Sequence, residues 1–252
     1  MARGWAKNKA FFRIKDAKRI DSYQCIYIFK GMNKKMSDIL IENKRFWEKC
    51  FADSDFDFKL PPSRNVLGVI KRLQEYQVHK ILDLGCGSGR WSVALARVGF
   101  QVKAVDISSE AIKKVKKWAK EEGLSIETEV CSASELLSKS VDFDAVICNS
   151  VLDHMPFIEA SKAILNIENI LRPGGIAHIS FDGLEEGNEK EFVLLDDGTR
   201  RYISGKRKGM LWRFYSNKEI KTLCKNLEIL ELIVRSNGKR DVWIRKNKIN
   251  FA

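Results

Sequence analysis

Three glycines constrain this chain more than any other feature. Gly85, Gly87 and Gly89 stand in ILDLGCGSGRW, directly after an apolar run and directly before a segment with helical spacing. A strand that ends in glycines and passes straight into a helix can turn tightly and lay bare backbone against a ligand, because no Cβ intervenes. The same turn also occurs with no ligand at all, so its surroundings decide what it is for.

Those surroundings alternate short apolar runs with helical segments, the pattern of a parallel sheet covered by helices. Five strands are expected, at residues 80–84, 101–106, 125–130, 143–149 and 175–181. In SSEAIKKVKKWAKEEG, Ala111, Ile112, Val115, Trp118 and Ala119 form a buried stripe, the lysines face water, and Gly123 stops the helix. Upstream, Val66, Val69, Ile70 and Leu73 recur at helical spacing after Pro61-Pro62, with Ser63 available as N-cap. An amphipathic helix is expected at 37–51, with Ile39, Phe46, Trp47 and Cys50 turned to the main domain. Pro156 opens a helix reaching about Leu171, and Pro173-Gly174-Gly175 leads into the fifth strand. Ser216 and Glu219 make a capping box, and LEILELIV with DVWIRK reads as an antiparallel pair turned at Asn237-Gly238. Residues 182–213 are polar and too long for an ordinary connection, which marks them as an insertion.

No stretch is apolar enough to cross a bilayer and no compact apolar signal core stands at the start, so a soluble cytoplasmic protein without a membrane is expected. The six cysteines are scattered singly and only three histidines are present, a composition that indicates neither a disulfide framework nor a metal site. The net charge of +12 raises the question of a polyanionic partner, but it is unevenly spread: residues 1–35 hold ten Lys or Arg against Asp16 and Asp21. This basic extension is read apart from a main domain at 36–252. It serves as a targeting or nucleic-acid arm, or is simply an addition outside the core.

Asp106 closes the second strand, where a carboxylate can accept from both hydroxyls of a ribose. A dinucleotide loop wants glycine where Arg90 stands, and Asp83 before the glycines repels phosphate but suits a cationic group. The loop therefore favours an amino acid nucleoside over a dinucleotide.

From about Pro62 to Lys246 the motifs resemble those of the class I S-adenosylmethionine-dependent methyltransferases. ILDLGCGSG is similar to the first motif, VKAVDIS to the acidic second, CSASELL and FDAVICNSVLDHM to the central ones, and LRPGGIAHIS to the motif of strand five. The resemblance implies an α/β Rossmann-like fold, a seven-stranded mostly parallel sheet in the order 3-2-1-4-5-7-6 with strand 7 antiparallel and helices on both faces. It implies S-adenosyl-L-methionine as cofactor and S-adenosyl-L-homocysteine as product. Carried over by position, Asp83 and the backbone of Gly85, Cys86 and Gly87 surround the methionine end, and Gly89 allows close packing. Asp106 holds the ribose, Ile107 covers the adenine, Ser132 and Ala133 approach its edge, and Asn149 lines the methionine side. Ser132 departs from the family, which often has an acid there.

Methyl transfer needs the acceptor held in line with the S–CH3 bond, and a base only when the acceptor must lose a proton. His154, just beyond strand four, is the candidate base; packing is the competing role. Asp153 is expected to face solvent or cap the following helix, and His178 to be a hydrogen-bonded core residue. The resemblance puts the insertion over the donor site, where Tyr202, Trp212, Phe214 and Tyr215 make either an acceptor wall or a small core of their own. Arg200, Arg201, Lys206, Arg207, Lys208 and Arg213 form a run of cations there. The leading reading is methyl transfer to a small-molecule acceptor. An RNA or protein acceptor, a noncatalytic binding protein and a nicotinamide dehydrogenase are the alternatives.

Overall fold

The computed structural model describes residues 22–53, 62, 66–136, 143–183 and 191–247, with side chains from residue 36. Ser63 lies outside these residues, so its expected cap does too. The chain divides into two compact units, Met1–Ile39 and Leu40–Ala252. The described part of the first is helical from Ser22 and continues across the division as α1, Ser22–Ala52. The sequence pattern placed this helix only from residue 37.

In the second unit, α2 (Val66–Glu75) leads into β1 (Lys80–Leu84), α3 (Arg90–Arg97), β2 (Gln101–Asp106), α4 (Ser109–Glu121), β3 (Ile126–Val130), β4 (Phe143–Asn149), α5 (Phe157–Ile170) and β5 (Leu171–Phe181). After the insertion come α6 (Asn217–Leu223) and two long strands, Glu228–Val234 and Arg240–Arg245. The insertion itself carries β6 (Phe192–Leu194), β7 (Arg200–Tyr202) and β8 (Leu211–Trp212), an antiparallel sheet of its own, so the two long strands are β9 and β10. Among the described residues the main sheet has seven strands in the order β3-β2-β1-β4-β5-β10-β9, with β10 antiparallel to both neighbours. With β9 and β10 counted as sixth and seventh, this is the expected topology. β5 begins earlier than the sequence reading because Leu171 already pairs with Phe143, ahead of an irregularity in β4.

Strand alternation sorts the core onto two faces. Leu82, Leu84, Val146, Cys148, Ala177 and Ile179 meet α5 through Ala160, Ala163, Ile164 and Ile167, and meet α6 through Ile220 and Leu223. Ile81, Ala145, Ile147 and Ile176 pack beneath Val69, Ile70 and Leu73 of α2 and Leu95 of α3. The capping box forms as read: Ser216 accepts from the amide of Glu219, and the Glu219 carboxylate from that of Ser216.

His178 differs from expectation. It is buried, with ring centroids 4.8 Å from Trp243 and 6.4 Å from Trp91, but neither ring nitrogen has a hydrogen-bond partner. Its Nε2 stands 3.6 Å from Asp241 Oδ1, beyond hydrogen-bond reach. Burial pushes the imidazole down to about 4, outweighing the upward pull of Asp241, and Arg235 and Arg72 push in the same direction as burial. An unfolded chain protonates this ring at higher pH than the fold does. Stability carried by neutral His178 is therefore complete above about pH 6.5 and is lost as pH falls toward 4. Urea unfolding of the protein and of His178→Phe across pH 4 to 8 should show the variant losing less on the acid side. Parallel curves would mean that His178 does not set that slope.

Candidate active site

The parallel strands bring the carboxyl ends of β1, β2, β3 and β4 to one edge of the sheet, the edge where open α/β folds bind ligands. A cavity of about 380 Å³ lies there. Gly85, Gly87, Asp106 and Ile107 line it from β1 and β2, and Ser132 and Ala133 from beyond β3. Beyond β4 it is lined by Ser150, Val151, His154 and Met155. Leu40, Asn43, Lys44, Trp47 and Phe51 of α1 supply the remaining wall.

The loop glycines are needed for their backbone shape. Gly85, Gly87 and Gly89 have φ of 71°, 54° and 95°, and the amides of Gly85 and Cys86 both donate to the carbonyl of Val105, at 2.7 and 3.0 Å. A Cβ on Gly85 would lie 2.3 Å from Val151 Cγ2, and one on Gly87 3.3 Å from the Phe51 ring. Gly89 starts α3 against Val115.

Asp106 is 6% exposed, and each of its oxygens accepts one backbone N–H at 2.8 Å, Oδ2 from Gly87 and Oδ1 from Ser108. Burial lifts its carboxyl to about 6 despite these bonds, and the nearby Glu48 carboxylate adds to the rise.

Of the sequence-derived site residues, Gly85, Gly87, Asp106, Ile107, Ser132, Ala133 and His154 line the cavity, whereas Asp83, Cys86, Gly89 and Asn149 do not. Asp83 is buried and accepts from the Ser92 hydroxyl of α3; burial lifts it to about 7. Cys86 packs with Ala104, Ile112 and Val115. Asn149 keeps a buried Nδ2 without a hydrogen-bond partner. His154 places Nδ1 3.0 Å from the Leu211 carbonyl and stands edge-on to Trp47, with ring centroids 4.8 Å apart. A carbonyl only accepts, so the ring proton sits on Nδ1 and the lone pair on Nε2.

Asp153 neither faces solvent nor caps α5. It is fully buried, accepting from the Asp182 amide at 2.9 Å, because the 3-10 turn Leu152–His154 carries its side chain inward. Asp197, from the insertion, instead takes the first amide of α5, Phe157 N, at 2.7 Å.

The sequence reading also missed what α1 does. Leu40, Lys44, Trp47 and Phe51 recur at helical spacing on the cavity side, whereas the sequence pattern gives the helix a packing face of Ile39, Phe46, Trp47 and Cys50. Glu48 was passed over, yet its carboxylate accepts from the Ser108 hydroxyl at 2.7 Å and from the amides of Ser109 and Glu110 at 2.9 and 3.1 Å, at the start of α4. Asn43 ties the same helix to the other side, donating to the His154 carbonyl and accepting from the Leu211 amide, both at 3.0 Å.

Residues 81–175 match the family described as "Methyltransferase domain". Over these residues the chain is similar to methyltransferase domains, and its sheet has the Rossmann-like order of that fold. A curated relative, the ubiquinone biosynthesis O-methyltransferase of Xanthomonas axonopodis pv. citri, is 34% identical over 132 residues, covering 49% of this chain and 54% of that protein. The enzyme of the same name from Xylella fastidiosa is 32% identical over the same length, covering 49% and 53%. The chain thus spans about half the length of these relatives. Among solved structures, a SAM-dependent methyltransferase from Methanosarcina mazei aligns with TM-score 0.60 and 24% identity over 70% of this chain and 97% of its own. The 1,6-didemethyltoxoflavin-N1-methyltransferase of Burkholderia thailandensis aligns with TM-score 0.66 and 18% identity, covering 84% and 91%. At these identities the structures speak for the fold.

The insertion's aromatics build a small core against α1 rather than a cavity wall. Tyr202, Met210 and Trp212 cluster with Phe192, Phe214 and, from α1, Phe46 and Trp47, and Tyr215 joins the main core. The cavity's aromatic side comes from α1 instead. The run of cations is largely held in place. Arg200 lies over the rings of Phe192 and Trp212, Arg201 pairs with Glu42, Arg207 lies over Tyr202, and Arg213 pairs with Glu219. Lys206 and Lys208 remain exposed.

Proposed function

We propose that the cavity holds S-adenosyl-L-methionine and that the domain transfers its methyl group to a small-molecule acceptor. The observation that carries this reading is Asp106, a buried carboxylate beside a glycine loop, with both oxygens oriented by backbone amides and still able to accept from a vicinal diol. The residues fit such a cofactor. Side chains at Gly85 or Gly87 would crowd the cavity wall, and the Asn149 amide is a buried donor in want of an acceptor. The bound cofactor would supply an activated methyl on a sulfonium. Asp106 would hold the ribose, Ile107, Ser132 and Ala133 would flank the adenine, and Asp83, Cys86 and Gly89 would fix the loop from behind. Asn149 would lie toward the methionine end. His154, with its Nε2 lone pair, is the candidate base for an acceptor that must lose a proton.

A small acceptor is favoured over RNA or protein because four of the six insertion cations are occupied by rings and carboxylates of this chain, leaving little for a phosphate backbone. The naming of the curated relatives for O-methylation supports a hydroxyl acceptor.

The test is incubation of the protein and Asp106→Ala with methyl-labelled S-adenosylmethionine and a cell extract, followed by separation of products by size and by nuclease and protease sensitivity. Label in the small-molecule fraction that disappears with the variant is expected. Variant-sensitive label on RNA or protein would replace the proposed acceptor class.

A further inference from the structure

Ser150 adopts φ of 50°, a left-handed backbone that non-glycine residues avoid, at the point where β4 enters the cavity wall. Its amide donates to the Ser180 carbonyl and to the Ser180 hydroxyl, both at 3.1 Å, and these two bonds hold it there. Its own hydroxyl donates to Asp182 Oδ1 at 3.1 Å. A hydroxyl has one proton, so once that proton is committed to Asp182 only lone pairs remain for the cavity. Asp182 is fixed in turn, its amide donating to Asp153 and its Oδ1 lying 2.6 Å from Lys239 Nζ; its side chain is 26% exposed, which leaves a path to water. Side-chain nitrogen and oxygen atoms of Asp153, His154 and Asp182 lie within 4.8 Å of one another, so among the described residues the titratable groups facing the pair are Asp153, His154 and Lys239.

We infer that Ser150 and Asp182 form a proton relay for a hydroxyl acceptor, with Ser150 as the residue that reads the acceptor's O–H. The inference rests on the methyl-transfer reading above and narrows its acceptor to a hydroxyl compound. As the acceptor oxygen bonds to the methyl carbon, the carbon–sulfur bond breaks and its electron pair stays on sulfur. The hydroxyl proton moves to Ser150 Oγ, the proton of Ser150 moves to Asp182 Oδ1, and Asp182 returns it to water. The products are a methyl ether, a neutral thioether and a proton. A relay of this kind matters while the acceptor still holds its proton and matters little once it is ionised.

The experiment uses the full chain, Ser150→Ala, Ser150→Gly, Asp182→Asn and His154→Gln, with catechol and 4-nitrocatechol as acceptor probes. Ser150→Gly removes the hydroxyl while relieving the backbone, which keeps the test open if Ser150→Ala folds poorly. With catechol at neutral pH the Ser150 and Asp182 variants should lose roughly 10²-fold in kcat. With 4-nitrocatechol above its own ionisation the loss should be less than about threefold, and calorimetric affinity for S-adenosylhomocysteine should stay as in the parent. A second readout needs no turnover. In the complex with S-adenosylhomocysteine, the absorbance of bound 4-nitrocatechol should titrate at higher pH than in solution, because a lone pair facing the phenol favours its neutral form. Ser150→Ala should abolish that shift. Asp182→Asn, whose amide donates to Ser150 and turns the serine proton toward the cavity, should reverse it. Equal losses on both probes, or an unshifted titration in the parent, would reduce the pair to a support for the turn. A loss confined to His154→Gln would move the proton to the histidine. A parent protein that binds S-adenosylhomocysteine but methylates neither probe would overturn the hydroxyl assignment, whereas failure to bind it would overturn the methyl-transfer reading beneath.

Discussion

Asp106→Ala should weaken S-adenosylhomocysteine by about 1 to 3 kcal/mol through the ribose hydrogen bonds it removes, which is about 5- to 150-fold in Kd. The substitution also frees the amides of Gly87 and Ser108, so the loop and the start of α4 lose their shared acceptor in the same step. Calorimetry at pH 7.5 measures the loss, and an unchanged affinity would remove Asp106 from the ribose. The pH dependence carries a second signature. Because burial lifts this carboxyl to about 6, the ionised form that accepts from a diol is depleted as pH falls through that value. Affinity should therefore drop between pH 7 and 5 in the parent protein and be flatter in Asp106→Asn, which has no charge to lose.

Gly85→Ala should be strongly destabilising. The new Cβ would lie 2.3 Å from Val151 Cγ2 and 3.0 Å from Cγ1, on a residue whose φ of 71° already disfavours any side chain. The backbone cost is about 1 to 2 kcal/mol, and the overlap adds about 1 to 3 kcal/mol if Val151 cannot yield. Urea denaturation reads the sum, and loss of S-adenosylhomocysteine binding should accompany it because the displaced residues line the cavity. Val151→Ala in the same chain removes both methyls that clash. It should recover the overlap part and leave the backbone part, whereas a double variant no better than Gly85→Ala would assign the whole effect to φ.

The strands were legible because their signal is local. Short apolar runs, closed by glycine, aspartate or asparagine, placed β1, β2 and β4 at their observed bounds. Their order was not legible that way, since pairing across the sheet leaves no trace in one strand's own pattern, and it came only with the resemblance to a known family. The glycine loop and Asp106 were readable for the same reason as the strands, by residue type at a fixed spacing. The wall from α1 was not. Trp47 and Phe51 look like any buried stripe until the partner opposite them is known, and Glu48 looks like any surface acid. Asp153 misled because a carboxylate just ahead of a helix is ordinarily a cap, and here a residue more than forty positions later, Asp197, takes that place. Ser150 gave no sign at all. A left-handed glycine announces itself by being glycine, but a left-handed serine is visible only in coordinates.

The grip of Glu48 on α4 bears on time as well as on shape. The amides of Ser109 and Glu110 sit in the first turn of α4, where a helix has no carbonyl of its own to offer them, and the acceptor they use belongs to α1. Those two amides exchange with water only when the Glu48 carboxylate releases them. Their deuterium uptake is thus a direct gauge of how firmly α1 and α4 are held together at this point, separate from the rest of either helix.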